Sequence, residues 1–202
     1  MTNGELLALA QLIVPELTAK AFVQFYNIAF EKISREVRLI TTVLKPTSVS
    51  QYRDLLEQKA VKIDSVKDTS GDDIYWEVKH RKLLIYDSNR ELITNETVGN
   101  HKLEIEYWVR ISKAIKLSFP TDDDIESNPN IIEEWNEMIP GVEDTEVQLC
   151  ALYLMITELA GIFPLEPGTV ELYANKFSGA FQAVKTKYNS GNSPATITQV
   201  YF

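Results

Sequence analysis

The chain contains very little cysteine and histidine. Its 202 residues include one cysteine, Cys150, and two histidines, His80 and His101. A single cysteine cannot form an internal disulfide, which is typical of proteins that fold in a reducing compartment. Cys150 lies in an apolar helical run, VQLCALYLM, so we expect an inert buried thiol there rather than a nucleophile. Both histidines lie at predicted strand ends among charged residues, which does not indicate a zinc site.

Long apolar runs are also missing. No stretch of about eighteen apolar residues occurs, so no membrane span is expected. The first residues, MTNGELLALAQLIV, contain an apolar run but have no basic region before it and carry an early Glu5. A secretory signal is therefore not expected.

Basic residues are in the minority. The chain has 20 Lys and Arg against 29 Asp and Glu, a net charge of −9. This balance excludes a typical reader of DNA or RNA sequence, because such proteins present a basic face. It is compatible with a surface past which DNA slides without sticking, because acidic groups repel phosphates. Motifs of nucleotide-binding loops and of serine hydrolases are absent as well.

The apolar content of 45% is ordinary and predicts a core of normal size. The length favours one domain and leaves two small ones possible. In the one-domain interpretation, residues 1–202 comprise a helical segment, a β-rich segment, an acidic loop, a second helical segment and a C-terminal arm. Their ranges are 4–37, 38–111, 112–144, 145–189 and 190–202.

Helical periodicity is clear on both sides of the β-rich segment. We predict a helix over 4–14 capped by Asn3, and a second over 16–36 with Pro15 as its first residue. The second helix has an apolar stripe, explained by core packing or by packing on a second subunit: Phe22, Phe25, Tyr26, Ala29, Phe30, Ile33 and Val37. Later helices are predicted over 131–138, 145–159 and 169–188, with Asp144 or Thr145 capping the one over 145–159.

Between these helices the pattern changes to β. Strands are predicted near 38–44 and over 61–66, 74–78, 82–86 and 103–109, whereas 50–58 suits either a helical turn or an extended arm. The short connections favour an antiparallel meander. The predicted fold class is therefore α+β, a small antiparallel sheet packed on a bundle of three to four helices, with an extended C-terminal arm.

Three groups of carboxylates raise the question of catalysis or metal binding. Asp122, Asp123, Asp124 and Glu126 could hold a hard cation, but they lack the spacing and central glycine of a calcium loop, which favours a solvated loop. Asp72 and Asp73 beside Gly71 are typical of a turn.

Glu104 and Glu106 share one face of a strand, about 7 Å apart from the strand rise. That separation suits a glycosidase pair, but an exposed strand with alternating glutamates is the commoner explanation. No catalytic, cofactor-binding or metal-binding residue is therefore assigned.

The C-terminal arm is the strongest candidate for an interaction site. It follows a helix-breaking run, NSGNSP, and carries Ile197, Val200, Tyr201 and Phe202. The arm could dock on its own domain. It could also reach a neighbouring subunit or partner by strand addition and aromatic anchoring.

Three stretches carry a family resemblance. Ser48–Asp68, SVSQYRDLLEQKAVKIDSVKD, places Tyr52 and Leu55 before the apolar strand Ile63-Asp-Ser-Val66. Leu103–Val109 is an alternating strand with aromatic residues, and Val147–Leu159 is a helix followed by another helix. Together with the order of segments, these stretches resemble the head-to-tail adaptor (connector) proteins of tailed phages, of the tail tubular protein A type.

The resemblance implies a structural virion protein at the head–tail junction, assembled in the host cytoplasm. Such adaptors form rings, commonly of twelve copies, that connect the portal to tail or nozzle proteins and line the channel for DNA. In relatives the C-terminal arm commonly contacts the portal, which implies that role for residues Ile197 to Phe202. Neither a cofactor nor an enzymatic activity is implied.

Two other classes stay open. One is a small cytoplasmic enzyme or ligand-binding domain that uses the carboxylates around Asp122–Glu126. The other is a cellular interaction module.

Overall fold

The computed structural model describes residues 1–68, 72, 74–111, 114, 115 and 144–189, together with the backbone of Thr196–Gln199. These residues form seven helices and six strands, and the fold class is α+β, as predicted. In chain order the elements are α1 Asn3–Gln11, α2 Ala19–Glu36, β1 Thr41–Leu44, α3 Ser50–Arg53, α4 Leu55–Gln58, β2 Ala60–Lys67, β3 Trp76–Lys79, β4 Lys82–Ile85, α5 Val98–His101, β5 Glu104–Val109, α6 Thr145–Leu159, α7 Pro167–Asn189 and β6 Thr196–Gln199.

The chain divides into two compact units. A helical unit comprises Met1–Val37 and Ile111–Asn192, and a sheet unit comprises Arg38–Arg110 and Ser193–Phe202. The predicted helix over 131–138, most of the acidic loop and Gly71 itself lie outside the described residues. Within the described part, no helix has the length and apolar character that a membrane span requires.

Threonine hydroxyls set the starts of the first two helices. Thr2 accepts a hydrogen bond from the Glu5 amide, and the Glu5 carboxylate accepts one from the Thr2 amide at 2.8 Å, which is a capping box. The prediction of Asn3 as the cap was wrong by one residue. Pro15 does not begin α2 either, because Thr18 caps that helix through the Ala21 amide.

The apolar stripe of α2 forms the core of the helical unit. Phe22, Tyr26 and Phe30 are buried, and the rings of Phe22 and Tyr26 stack with centroids 5.2 Å apart. The Tyr26 hydroxyl donates to the Gln148 carbonyl of α6 at 3.2 Å. The structure thus supports core packing as the explanation of the apolar stripe.

Helix α6 has the predicted bounds, with Asp144 as its N-cap. Cys150 is fully buried on this helix, and burial raises the pKa of its thiol to about 12. The predicted burial of Cys150 is therefore confirmed, and its lack of reactivity at neutral pH stays a prediction.

The sheet unit differs from the predicted meander. Its four-stranded sheet has the order β2-β5-β1-β6, and β3 pairs with β4 in a separate hairpin. Strand β5 lies antiparallel between β1 and β2, where Ile105 and Tyr107 are buried. The meander was wrong because β5, whose alternation is the strongest, pairs on both edges with strands distant in sequence.

One hydrophobic cluster holds the sheet unit together. The ambiguous stretch 50–58 forms the short helices α3 and α4, whose Tyr52 and Leu55 are buried in it. The cluster consists of Leu44, Tyr52, Leu55, Ala60, Ile63, Val66, Leu83, Ile85, Ile93, Val98, Leu103, Ile105 and Tyr107. The hairpin contributes Leu83 and Ile85, so it packs into the same cluster as the four-stranded sheet.

The turn between β3 and β4 has a conformation that side chains disfavour. Its two central residues, His80 and Arg81, have φ angles of 51° and 62°. Positive φ at both positions is the requirement of the tightest hairpin turns, which usually carry Asn and Gly there. The Arg81 guanidinium donates to the Leu56 carbonyl at 3.3 Å, which ties the turn to α4.

Candidate functional site

The C-terminal arm pairs with the outer edge of β1. Thr41–Leu44 pair in parallel with Thr196–Gln199, and Ile197 lies in register with Thr42. On its other edge the same strand pairs with β5, where Thr42 faces Tyr107. Val200, Tyr201 and Phe202 lie outside the described residues, so their proposed partner contacts stay predictions.

Strand β1 is well fixed on the sheet unit. Thr41 is fully buried, and its hydroxyl accepts a hydrogen bond from Nε of Arg38 at 3.0 Å. Thr42 is buried as well, and Leu44 belongs to the hydrophobic cluster. A rigid strand of this kind presents its edge N–H and C=O groups at fixed spacing, which is the basis of strand addition.

The two strand glutamates are each held by a different cation. Glu106 Oε1 lies 3.1 Å from Nη2 of Arg38, which also lies 2.9 Å from Oδ2 of Asp64. Glu104 pairs separately with Lys45, whose Nζ is 2.5 Å from its Oε1. Each glutamate therefore belongs to its own ion pair on the sheet. This is the common arrangement of glutamates that alternate along an exposed strand.

The histidines and the turn aspartates occupy separate local structures. His80 is in the β3–β4 turn, and His101 ends α5. The Asp72 amide donates to Oδ1 of Asp68 at 3.0 Å, as expected for a turn. Among the described residues, no three His, Cys, Asp or Glu side chains come together in a way that could hold a metal ion. Asp73, Asp122, Asp123, Asp124 and Glu126 lie outside that part of the chain.

A polar cleft of about 600 Å³ lies in the sheet unit, and sequence reasoning missed it. Its walls include Asp87, whose Oδ1 accepts from the amides of Asn89 and Glu91, and the rings of Tyr75 and Tyr86, 5.4 Å apart. The hydrogen bond from Tyr86 to Glu77 raises the pKa of the Tyr86 phenol. Tyr75 and Tyr86 fall within the predicted strands 74–78 and 82–86, and only folding brings them to one cleft with Asp87.

The helical unit exposes apolar side chains beside a groove of about 160 Å³. Leu12, just after α1, is 76% exposed, and Leu9 is 37% exposed. We call these two residues, with the groove-lining Ile13, Tyr153 and Tyr173, the apolar patch. Contiguous exposed apolar surface is a general feature of protein contact surfaces. Helical periodicity predicts an apolar face but not how much of it the core covers, so the sequence did not reveal the patch.

Asp144 connects the start of α6 with the end of α7. One carboxylate oxygen accepts from the Glu146 amide at 2.9 Å, and the other accepts from the Tyr188 hydroxyl and from Lys187 Nζ at 2.7 Å. Burial alone would raise the pKa of Asp144, but the hydrogen bonds from Lys187, Tyr188 and the Glu146 amide together lower it below its usual value. The hydrogen bonds that Lys187 donates to the Asp144 and Glu146 carboxylates raise the pKa of Lys187.

The described residues thus include a strand, β1, that pairs with the arm, an apolar patch on the helical unit and a polar cleft in the sheet unit. Comparison of the chain with protein-family models and with curated protein sequences finds no match.

Proposed function

We propose that this chain is a head-to-tail adaptor of a tailed phage. It forms an oligomeric ring at the head–tail junction, joins the portal to tail or nozzle proteins and lines the channel through which DNA passes. It acts as a structural protein of the virion and not as an enzyme. Residues Ile197 to Phe202 contribute to the contact with the portal.

The order of parts carries this proposal. Helices α1 and α2 precede a β-rich unit, the antiparallel pair α6 and α7 follows it, and the chain then returns to the sheet as β6. This is the order on which the resemblance to adaptors rests. One hydrophobic cluster of the sheet unit contains four residues of the stretch Ser48–Asp68, namely Tyr52, Leu55, Ile63 and Val66.

The surface of the helical unit supports a role in assembly. The apolar patch would stay in contact with water in an isolated chain, whereas a ring buries such surface between neighbouring copies. Ile162 and Leu172 add exposed apolar groups, at 59% and 51% exposure, near the start of α7. A structural protein needs contact surfaces of this kind and no reaction centre.

The charge of the chain supports the DNA-channel part of the proposal. Acidic residues outnumber basic ones by nine, which gives phosphates no net attraction to the chain. A wall of this charge lets DNA move past without adhering.

The test is the mass of the protein in solution. We expect light scattering after size exclusion to show a ring of roughly twelve 23.0 kDa chains, alone or with the portal protein encoded in the same genome. The mass is measured over a range of concentrations, because ring formation follows mass action. A 23.0 kDa monomer under all these conditions contradicts the proposal, and so does a genome that encodes no portal protein.

A further inference from the structure

We propose that the outer edge of β1 is a strand-exchange slot that is filled, in an assembly, by residues Thr196–Gln199 of a neighbouring copy. This inference rests on the proposed ring and names the contact that joins adjacent subunits. In this arrangement Thr196–Gln199 pair with the neighbouring copy, and the rest of the arm, Val200 to Phe202, is the part that contacts the portal. The occupant is therefore a second copy of this chain, and the contact is a parallel strand pair.

The slot is defined by the observed register. Thr41, Thr42, Val43 and Leu44 pair one to one with the four residues of β6. Three of these β1 residues are β-branched, the type that fits extended backbone best. Without a fourth strand, β1 would be an edge strand with a row of unpaired backbone groups, which readily accepts another chain.

The arm itself shows which sequence fits this edge. In a single chain, Thr196–Gln199 already occupy it, so an identical segment from a second copy fits with the same register. Exchange of an identical element needs no new complementary surface, which makes it an easy route to assembly. This argument selects the arm of a second copy over an unrelated peptide.

The connection of the arm permits the exchange. Six residues, 190–195, separate α7 of the helical unit from β6, which belongs to the sheet unit. They include Gly191 and Pro194, residue types that do not favour a continued helix. The arm is thus a sequence segment distinct from α7.

The backbone hydrogen bonds of the arm are the same within one chain and between copies, so exchange costs little once copies are close together. Four residues form few backbone hydrogen bonds, and the net gain from these is offset by the entropy lost when the arm becomes ordered. The arm is therefore held weakly by its own chain. Neighbouring copies in a ring hold their arms near each other's slots at a high effective concentration, so exchange adds a link to every interface.

Directional exchange also fits a ring. Each copy donates one strand and accepts one, so the contact is head to tail and not twofold symmetric. Head-to-tail contacts close into rings when the rotation between copies allows it.

Disulfide trapping between two different variants tests the inference. One variant carries Thr42→Cys and the other, with a larger tag, carries Ile197→Cys, so the designed disulfide can form only between copies. Residues in register lie within the Cα separation that a disulfide needs. The native Cys150 is buried and serves as an unreactive background.

The matched control replaces Ile197→Cys by Thr198→Cys, which is in register with Val43 and faces the other side of the strand. After mild oxidation of the mixed variants, we expect at least ten times more heterodimer from the in-register pair than from the control. If Thr42→Cys does not fold, Leu44→Cys with Gln199→Cys provides a second in-register pair.

The outcomes separate this inference from the proposed function. In-register heterodimer supports exchange, whether or not a ring is seen. A ring without heterodimer, together with a disulfide inside the double variant Thr42→Cys/Ile197→Cys, overturns exchange and leaves the ring standing. Absence of both the ring and the heterodimer overturns both.

Discussion

Replacing Tyr188 by Phe should loosen the connection between α6 and α7. The substitution keeps the ring, which is 7% exposed, and removes only the hydroxyl that donates to Asp144. Hydrogen bonds to charged groups contribute about 1.5–3 kcal/mol, and this carboxylate is partly solvated, so we expect a loss of about 1–2 kcal/mol in the free energy of unfolding.

Asp144→Ala should cost more, because Asp144 serves two helices. It loses the N-cap of α6, worth about 1 kcal/mol, and it leaves the Tyr188 hydroxyl without its acceptor at a further cost of about 1 kcal/mol. The double variant should cost less than the sum of the two single variants by about 1 kcal/mol, because both remove the same hydrogen bond.

Urea unfolding followed by helical circular dichroism at neutral pH measures all three variants. Thr157→Val is a control, since its hydroxyl donates to the Tyr153 carbonyl within α6 and is independent of Asp144. A Tyr188→Phe loss below about 0.3 kcal/mol, or additive single losses, would refute the assigned connection.

The pH dependence provides a second check on Asp144. Its pKa in the folded protein is lower than the usual 3.8, so its stabilising contribution is present above that value and is lost as the pH falls through the folded pKa. The difference in unfolding free energy between the native chain and Asp144→Asn should therefore be constant from pH 7 to 5 and shrink below about pH 4. A difference that persists unchanged at pH 2 would contradict the role of the ionised carboxylate.

Three further predictions concern other parts of the chain. Leu12→Glu, at a side chain 76% exposed, should leave the unfolding free energy within about 0.5 kcal/mol but shift the sizing profile towards monomer, whereas Val78→Glu in the sheet unit should not shift it. His80→Asn should raise the unfolding free energy by about 0.5–1 kcal/mol, because Asn tolerates the φ of 51° better; an unchanged urea midpoint would contradict this. Burial raises the pKa of Cys150 from 9.0 to about 12, which lowers its thiolate population about a thousandfold. A thiol reagent at pH 8 should therefore label Cys150 at an appreciable rate only after unfolding. Fast labelling of the native chain would show that the thiol is accessible.

Local sequence patterns predicted the elements well where one residue pattern decides them. The helix over Thr145–Leu159 has the predicted bounds, because Asp144 supplies a cap and an apolar run follows. Strand β5 was expected one residue longer at its start, and its alternating residues Ile105 and Tyr107 are buried.

Features that depend on distant residues could not be predicted in this way. Strand β5 pairs with Thr41–Leu44, more than fifty residues earlier, and nothing in the local pattern identifies that partner. The same limit applies to the polar cleft and to the apolar patch, where Leu9 and Tyr153 come from distant helices. The sequence did identify the arm as unusual, and its pairing with β1 depends on register, which residue types do not reveal.

The division of the helical unit between the two ends of the chain has a consequence for synthesis on the ribosome. Helix α2 emerges early, but Tyr26 finds its hydrogen-bond partner in Gln148, which is 122 residues later. At translation rates of about 5–20 residues per second, the aromatic stripe of α2 waits about 6–24 seconds for this partner. During that interval the sheet segment 38–110 is synthesised, but α6 is not. Phe22, Tyr26 and Phe30 of the nascent chain are therefore open to chaperones or to other nascent chains on the same message.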